Sequence, residues 1–205
     1  MPHRSLAALP ALLLAMASPA LAQAPDPRTI FPGQAQTGPD QRGVRFVISC
    51  STTRTATATG VLSIELYIPQ YEQLAASFDF EALEGPDAHA GKLSHLETRA
   101  AATTPNGSTL SGTTASGDFE VSGWAAVDAD APFGLGLNAA VRGEPVRLSA
   151  VARLLRPLTL GAGQLVWRQG NPRKGGTPIV ATLSLADADA ARLRMIISPC
   201  LALAK

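Results

Sequence analysis

The chain has 205 residues, of which 46% are hydrophobic and 16% charged, with 17 Lys and Arg against 16 Asp and Glu. That length suits one domain with a real core. The near-zero balance excludes a partner selected by bulk basic charge, so nucleic acid is not expected.

The first residues, MPHRSLAALPALLLAMASPALAQ, place Arg4 ahead of an apolar run from Leu6 to Met16, followed by Ala20-Leu21-Ala22. This is the pattern of a signal peptide over 1–22, with cleavage expected after Ala22. No cysteine follows the site, so no lipid-modified N-terminus is expected. Every later apolar run is broken within about ten residues, so no transmembrane segment is expected after cleavage. The Ala-rich leader reads as bacterial, and the expected destination is the periplasm or the medium. Cleavage removes Arg4 alone among the charged residues and leaves 16 basic and 16 acidic side chains.

Residues 23–43 hold four prolines and three glycines. They read as a flexible Pro/Gly-rich leader, with one β domain beginning at Val44 and running to 205. From there apolar residues recur with period two. VRFVISC at 44–50 is the first expected strand. Leu62, Ile64, Leu66 and Ile68 follow, then Phe78, Phe80 and Ala82. STLSGTT, the pair Phe119 and Val121, the run Phe133 to Val141, the run Val146 to Ala150, QLVWRQ, and Ile179 to Leu185 complete the series. Side chains of a strand alternate between faces, so each run buries one face and wets the other. Turn signals separate the runs at EGPD, PNGS, SGD, RGEP, GAG and GNPRKGG. The fold class expected is all-β: an antiparallel β-sandwich or barrel of about nine short strands with one short C-terminal helix. That helix is read in ADADAARLRMIISP, with Asp187 as N-cap and Pro199 as its end. A shorter helix is expected over Tyr71 to Ser77.

Charge is uneven along the chain. From Glu65 to Asp130 eleven acidic residues face Lys92 and Arg99, and from Ala131 onward ten basic residues face Glu144, Asp187 and Asp189. Pairing of acidic with basic strands is the expected cause. A bipolar docking surface is the alternative.

The chemistry-bearing residues are few. Cys50 and Cys200 are the only cysteines. In an exported chain two cysteines pair, and a ring of that size would stabilise the fold by about 5 kcal/mol on the loop-entropy model. After the leader only His89 and His95 remain, in GPDAHAGKLSHLE. With Asp87 they are the one candidate metal set, set against a polar surface loop as the plainer reading. No GxSxG elbow exists for a serine nucleophile. GLG at 134–136 reads as strand glycines that let another element approach closely. Arg173 and Lys174 in NPRKGG suggest an anion-binding loop, against a solvated hairpin loop. Carboxylate pairs Glu81/Glu84 and Asp128/Asp130 carry glycosidase chemistry only if they face each other across a cleft. Tyr67 and Tyr71 are binding-face candidates, Tyr67 being on the strand face opposite Leu66 and Ile68. Trp124 and Trp167 are expected to be buried as packing.

The function expected is a non-enzymatic binding or interaction module with a protein or small-molecule partner, no cofactor, and Cys50–Cys200 as its clasp. The first alternative is a β-barrel carrier of a small apolar ligand, lined by Ala139, Ala150 and Ala181. The second is a metal-binding protein or metal-dependent enzyme using Asp87, His89 and His95.

Overall fold

The computed structural model describes residues 28–53, 60–84, 94–103, 109–125, 132–138 and 145–204. Their strands are β1 (Arg28–Thr37), β2 (Asp40–Ser51), β3 (Val61–Ile68), β4 (Ser94–Thr103), β5 (Thr109–Phe119), β6 (Ser122–Ala125), β7 (Phe133–Asn138), β8 (Gly163–Gln169) and β9 (Ile179–Leu185). The helices are α1 (Pro145–Leu155) and α2 (Asp187–Leu203). All neighbouring strands run antiparallel in one sheet ordered β5-β4-β8-β9-β1-β2-β3-β7-β6. The alternation in the sequence is thus realised in barrel-like form, as a single sheet curled into a half-barrel.

The curl follows from the helix contacts. α1 packs on β3 and also on β4 and β5, although β5 and β3 stand six strand spacings apart. Laid flat, that interval would be about 29 Å, whereas the 11 residues of α1 span about 16 Å. Only a sheet wrapped around the helix lets both contacts form. Inward side chains then build one core. They include Phe31, Phe46, Ile48, Leu62, Ile64, Leu66, Leu96, Phe133, Leu135, Leu165, Trp167, Ala181 and Leu183 from the strands. Val151, Leu154 and Leu155 of α1 and Leu193 and Ile197 of α2 meet them from inside.

Four expectations are corrected. The stretch 23–43, expected to be a flexible leader, forms β1 and the start of β2 from Arg28 onward. Its Gly38-Pro39 turn, with Gly38 at φ 57°, closes a ten-pair hairpin. Prolines and glycines there mark a turn and an outward-facing strand position (Pro32, exposed) rather than a linker. The run Val146 to Ala150, expected as a strand, lies in α1. Three alternating residues fit either period, and the helix is decided by Leu148, Val151, Ala152 and Leu155 on one face with Pro145 in its first turn. Phe78 and Phe80 are buried without a strand, in a segment between 3-10 turns Tyr71–Leu74 and Glu81–Leu83. Finally, α2 passes through Pro199 to Leu203. Pro199 is exposed, so its missing N–H is tolerated, and Cys200 anchors the next turn.

That anchor is the expected disulfide. Cys50 of β2 and Cys200 of α2, 150 residues apart, are bonded with Cα atoms 5.9 Å apart. The N-cap of α2 is Ala186 and not the expected Asp187: the Ala186 N–H donates to Asp189 at 3.4 Å, while Asp187 accepts from the Ala162 N–H at 2.9 Å. The Cys50→Ala/Cys200→Ala pair of substitutions is expected to lower unfolding free energy by about 5 kcal/mol. Urea melts of the double variant and the parent, both under oxidising conditions, check this.

Candidate binding face

Because the concave side is filled by the chain's own helices, the convex side carries the accessible side chains. On it the register sets out two adjacent rows. Pro32, Arg45, Tyr67, Gly134 and Trp124 form one, and Ile30, Val47, Glu65, Gly136 and Ser122 the other. Trp124 begins on edge strand β6 and lies across β7. A Cβ built on Gly134 would come within 2.2 Å of the indole, and one on Gly136 within 2.8 Å, five different ring atoms being met in all. The glycines therefore form a flat track on which the indole rests, leaving its other face outward. This is the close approach expected of GLG, with a tryptophan as the approaching element.

Tyr67 stands beside this platform at 80° to it, ring centroids 5.9 Å apart. Its hydroxyl donates to Glu65 Oε2 at 2.7 Å, and the Ser63 hydroxyl donates to Glu65 Oε1 at 3.2 Å. Arg45 lies over the Tyr67 ring at 6.0 Å. Burial, then the hydrogen bond and negative charge of Glu65, push the Tyr67 hydroxyl up to about 12, against the weaker opposite pull of Arg28 and Arg45. The result is an L-shaped aromatic corner with a fixed carboxylate at its foot and two exposed guanidiniums beyond it.

Trp124 was expected in the core, and this is a correction. Trp167 is fully buried, whereas Trp124 is only half-buried. Tyr67 takes the outward face expected of it. Tyr71 packs between Phe80 and Phe133, at 5.2 and 5.3 Å, and its hydroxyl is raised by burial and by Glu72 and Glu84. Arg173 and Lys174 sit on the β8–β9 loop. Arg173 donates to the Ala76 carbonyl at 2.8 Å, and Asn171 donates to the Ser77 carbonyl at 2.7 Å, so this loop clamps the irregular Phe78 segment. Lys174 is exposed. The loop and the aromatic corner are not brought together.

Asp87 and His89 lie outside the described residues, as does Ala139. His95 points outward from β4, and its Nδ1 lies 2.7 Å from Asp118 Oδ1 on β5, with Arg168 of β8 in register on its other side. The β4–β5 pair carries Glu97 and Asp118 with Arg99, and β8 sets Arg168 beside it. Among the described residues no three His, Cys, Asp or Glu side chains are grouped to hold a metal. Of the alanines expected to line a carrier, Ala181 is buried in the core and Ala150 packs against it from α1. Between β5 and α1 a shallow cleft of about 290 Å³ is lined by Thr114, Ala115, Ser116 and Arg153.

No family model matches this chain, and neither a curated protein nor a solved structure matches it.

The packing of the corner yields two predictions. Gly134→Ala forces the indole off its track. It is expected to destabilise by about 1–3 kcal/mol and to raise acrylamide quenching of tryptophan fluorescence. Gly112→Ala, where nothing lies within 4 Å, should change neither. Tyr67 should keep its proton to about 12 rather than the ordinary 10.0. In the unfolded chain it ionises first, so its contribution to stability is whole below pH 10 and is lost between 10 and 12. Ultraviolet titration of tyrosinate reads this, and Glu65→Gln should bring the value down.

Proposed function

We propose that the protein is an exported, non-enzymatic binding module that meets its ligand on the convex face of β2, β3, β7 and β6. The observation that carries this reading is the partly exposed Trp124, held flat on Gly134 and Gly136 beside Tyr67. A large aromatic held rigidly at a surface supplies contact area without the entropy cost of ordering it on binding. Glu65, Arg45 and Arg28 around it provide the few polar groups that fix orientation. Export is supported by the N-terminal pattern over 1–22 and by the Cys50–Cys200 bond, which belongs to oxidising compartments.

Expression of the full chain in a bacterial host tests the export half. The product is expected outside the cytoplasm, beginning at Gln23 and free of reactive thiols when denatured without reductant. Uncleaved chain retained in the cytoplasm would overturn it. Acrylamide quenching tests the binding half, because Trp167 is buried and Trp124 reports alone. Extracellular extract from the native host should shield Trp124, and the Trp124→Phe variant should lose that response. Unchanged quenching in the extract would overturn the binding face.

A further inference from the structure

The corner has a chemistry that narrows the ligand. Resting on the binding-face reading above, we propose that it binds an acidic saccharide, with one pyranose ring on Trp124 and a carboxylate of the same oligomer at Arg45 and Arg28.

Three features argue for this. First, the indole presents one broad apolar face and has no room to retreat, since the glycine backbone lies directly beneath it. A pyranose carries axial C–H groups on one face and hydroxyls around its rim, so it covers such a platform while its polar groups stay at the edge. Tyr67, at 80° to the indole, walls one side.

Second, the group at the foot of the corner is a carboxylate. Each Glu65 oxygen already accepts one hydroxyl, from Ser63 and from Tyr67, and each keeps an acceptor site. Rim hydroxyls are donors that suit it. Any anionic group placed there would meet a like charge, so the stacked sugar turns hydroxyls toward Glu65 and keeps a carboxylate of its own away from it.

Third, the cations stand at a defined distance. Trp124 lies over β7, and Arg45 is on β2, two strands away across β3. That is about 10 Å, which places the charge beside the neighbouring sugar rather than beside the stacked one. Arg28 stands on β1 opposite Ser49, two rows along the strands from Arg45, and its charge reaches Tyr67 as that of Arg45 does. Both guanidiniums are exposed, and their planar forks match a carboxylate. The oligomer therefore crosses the strands, from the β6 edge toward β1.

Calorimetry and acrylamide quenching with a short oligogalacturonate, a neutral cello-oligosaccharide of equal length and a single-stranded oligodeoxynucleotide test the assignment. The oligogalacturonate should shield Trp124 and bind about tenfold more tightly than the neutral oligomer. Arg45→Ala should abolish that preference without restoring quenching, since Arg45 is exposed and its loss leaves the fold intact. Trp124→Phe should weaken both oligosaccharides. Equal affinity for the acidic and neutral oligomers, tighter shielding by the oligodeoxynucleotide, or no shielding by either saccharide would overturn the proposal. If native extract shields Trp124 and neither saccharide does, the saccharide is rejected and the binding face stands. If nothing shields it, both fall.

Discussion

An antiparallel sheet with one apolar face must have that face covered, and here the chain covers it with its own two helices. The curl of the strands, the depth of the core and the location of the accessible groups all depend on this packing. α1 is held by a polar contact as well as by burial. The buried Thr98 hydroxyl of β4 donates to the Leu154 carbonyl at 2.7 Å, satisfying a carbonyl near the helix C-terminus that has no partner within the helix. Nearby, Gln169 gathers the polar atoms that the core would otherwise strand. Its Oε1 accepts from Ser94 and from the Trp167 indole, and its Nε2 donates to the Gly170 carbonyl. A core satisfied in this way is closed to solvent, and the partly exposed aromatic and charged groups lie on the convex side.

A second set of polar contacts shapes one end of the sheet. Arg42 is bidentate to Asp40 and also donates to the Pro69 and Gln70 carbonyls, at 3.1 and 2.8 Å. Gln70 is held there at φ 51°, a left-handed conformation that costs a non-glycine residue about 1 kcal/mol and persists when its surroundings fix it. With Asn171 and Arg173 gripping the same segment toward its other end, the chain from Pro69 to Phe80 is fastened with no regular structure beyond the 3-10 turn Tyr71–Leu74. Cations that look available in the sequence are here committed to backbone carbonyls.

Much of this was legible in the sequence. Period-two alternation identified most strands, because burying one face of a sheet writes itself into neighbouring residues. The Cys50–Cys200 pairing was legible from count and spacing. What escaped was set by contacts remote in sequence. β1 has few large side chains, and its place is fixed by pairing with β2 and β9 rather than by its own composition. Phe78 and Phe80 alternate like strand residues, yet the backbone around them is held by Asn171 and Arg173. For Trp124 a signal existed: glycines at 134 and 136 share a strand face, and their missing side chains require something flat above them. Which aromatic lies there, and which of its faces stays outward, depended on β6 pairing with β7 at the sheet edge.

The order of strands has a consequence for how the molecule is made. β1 and β9, the first and last strands among the described residues, pair at the middle of the sheet rather than at its rim, over Gln34 to Gln36. The sheet is therefore assembled from two flanks that share no strand-to-strand ladder until the C-terminal residues arrive. A chain interrupted before Ile179 would present β1 and β8 as two open edges. Such edges recruit strands from other molecules, and the long-range pairing that closes them is intrinsically slow to form. Quality control of this protein thus falls on its last strand and helix, and the covalent link at Cys200 retains them once they have docked.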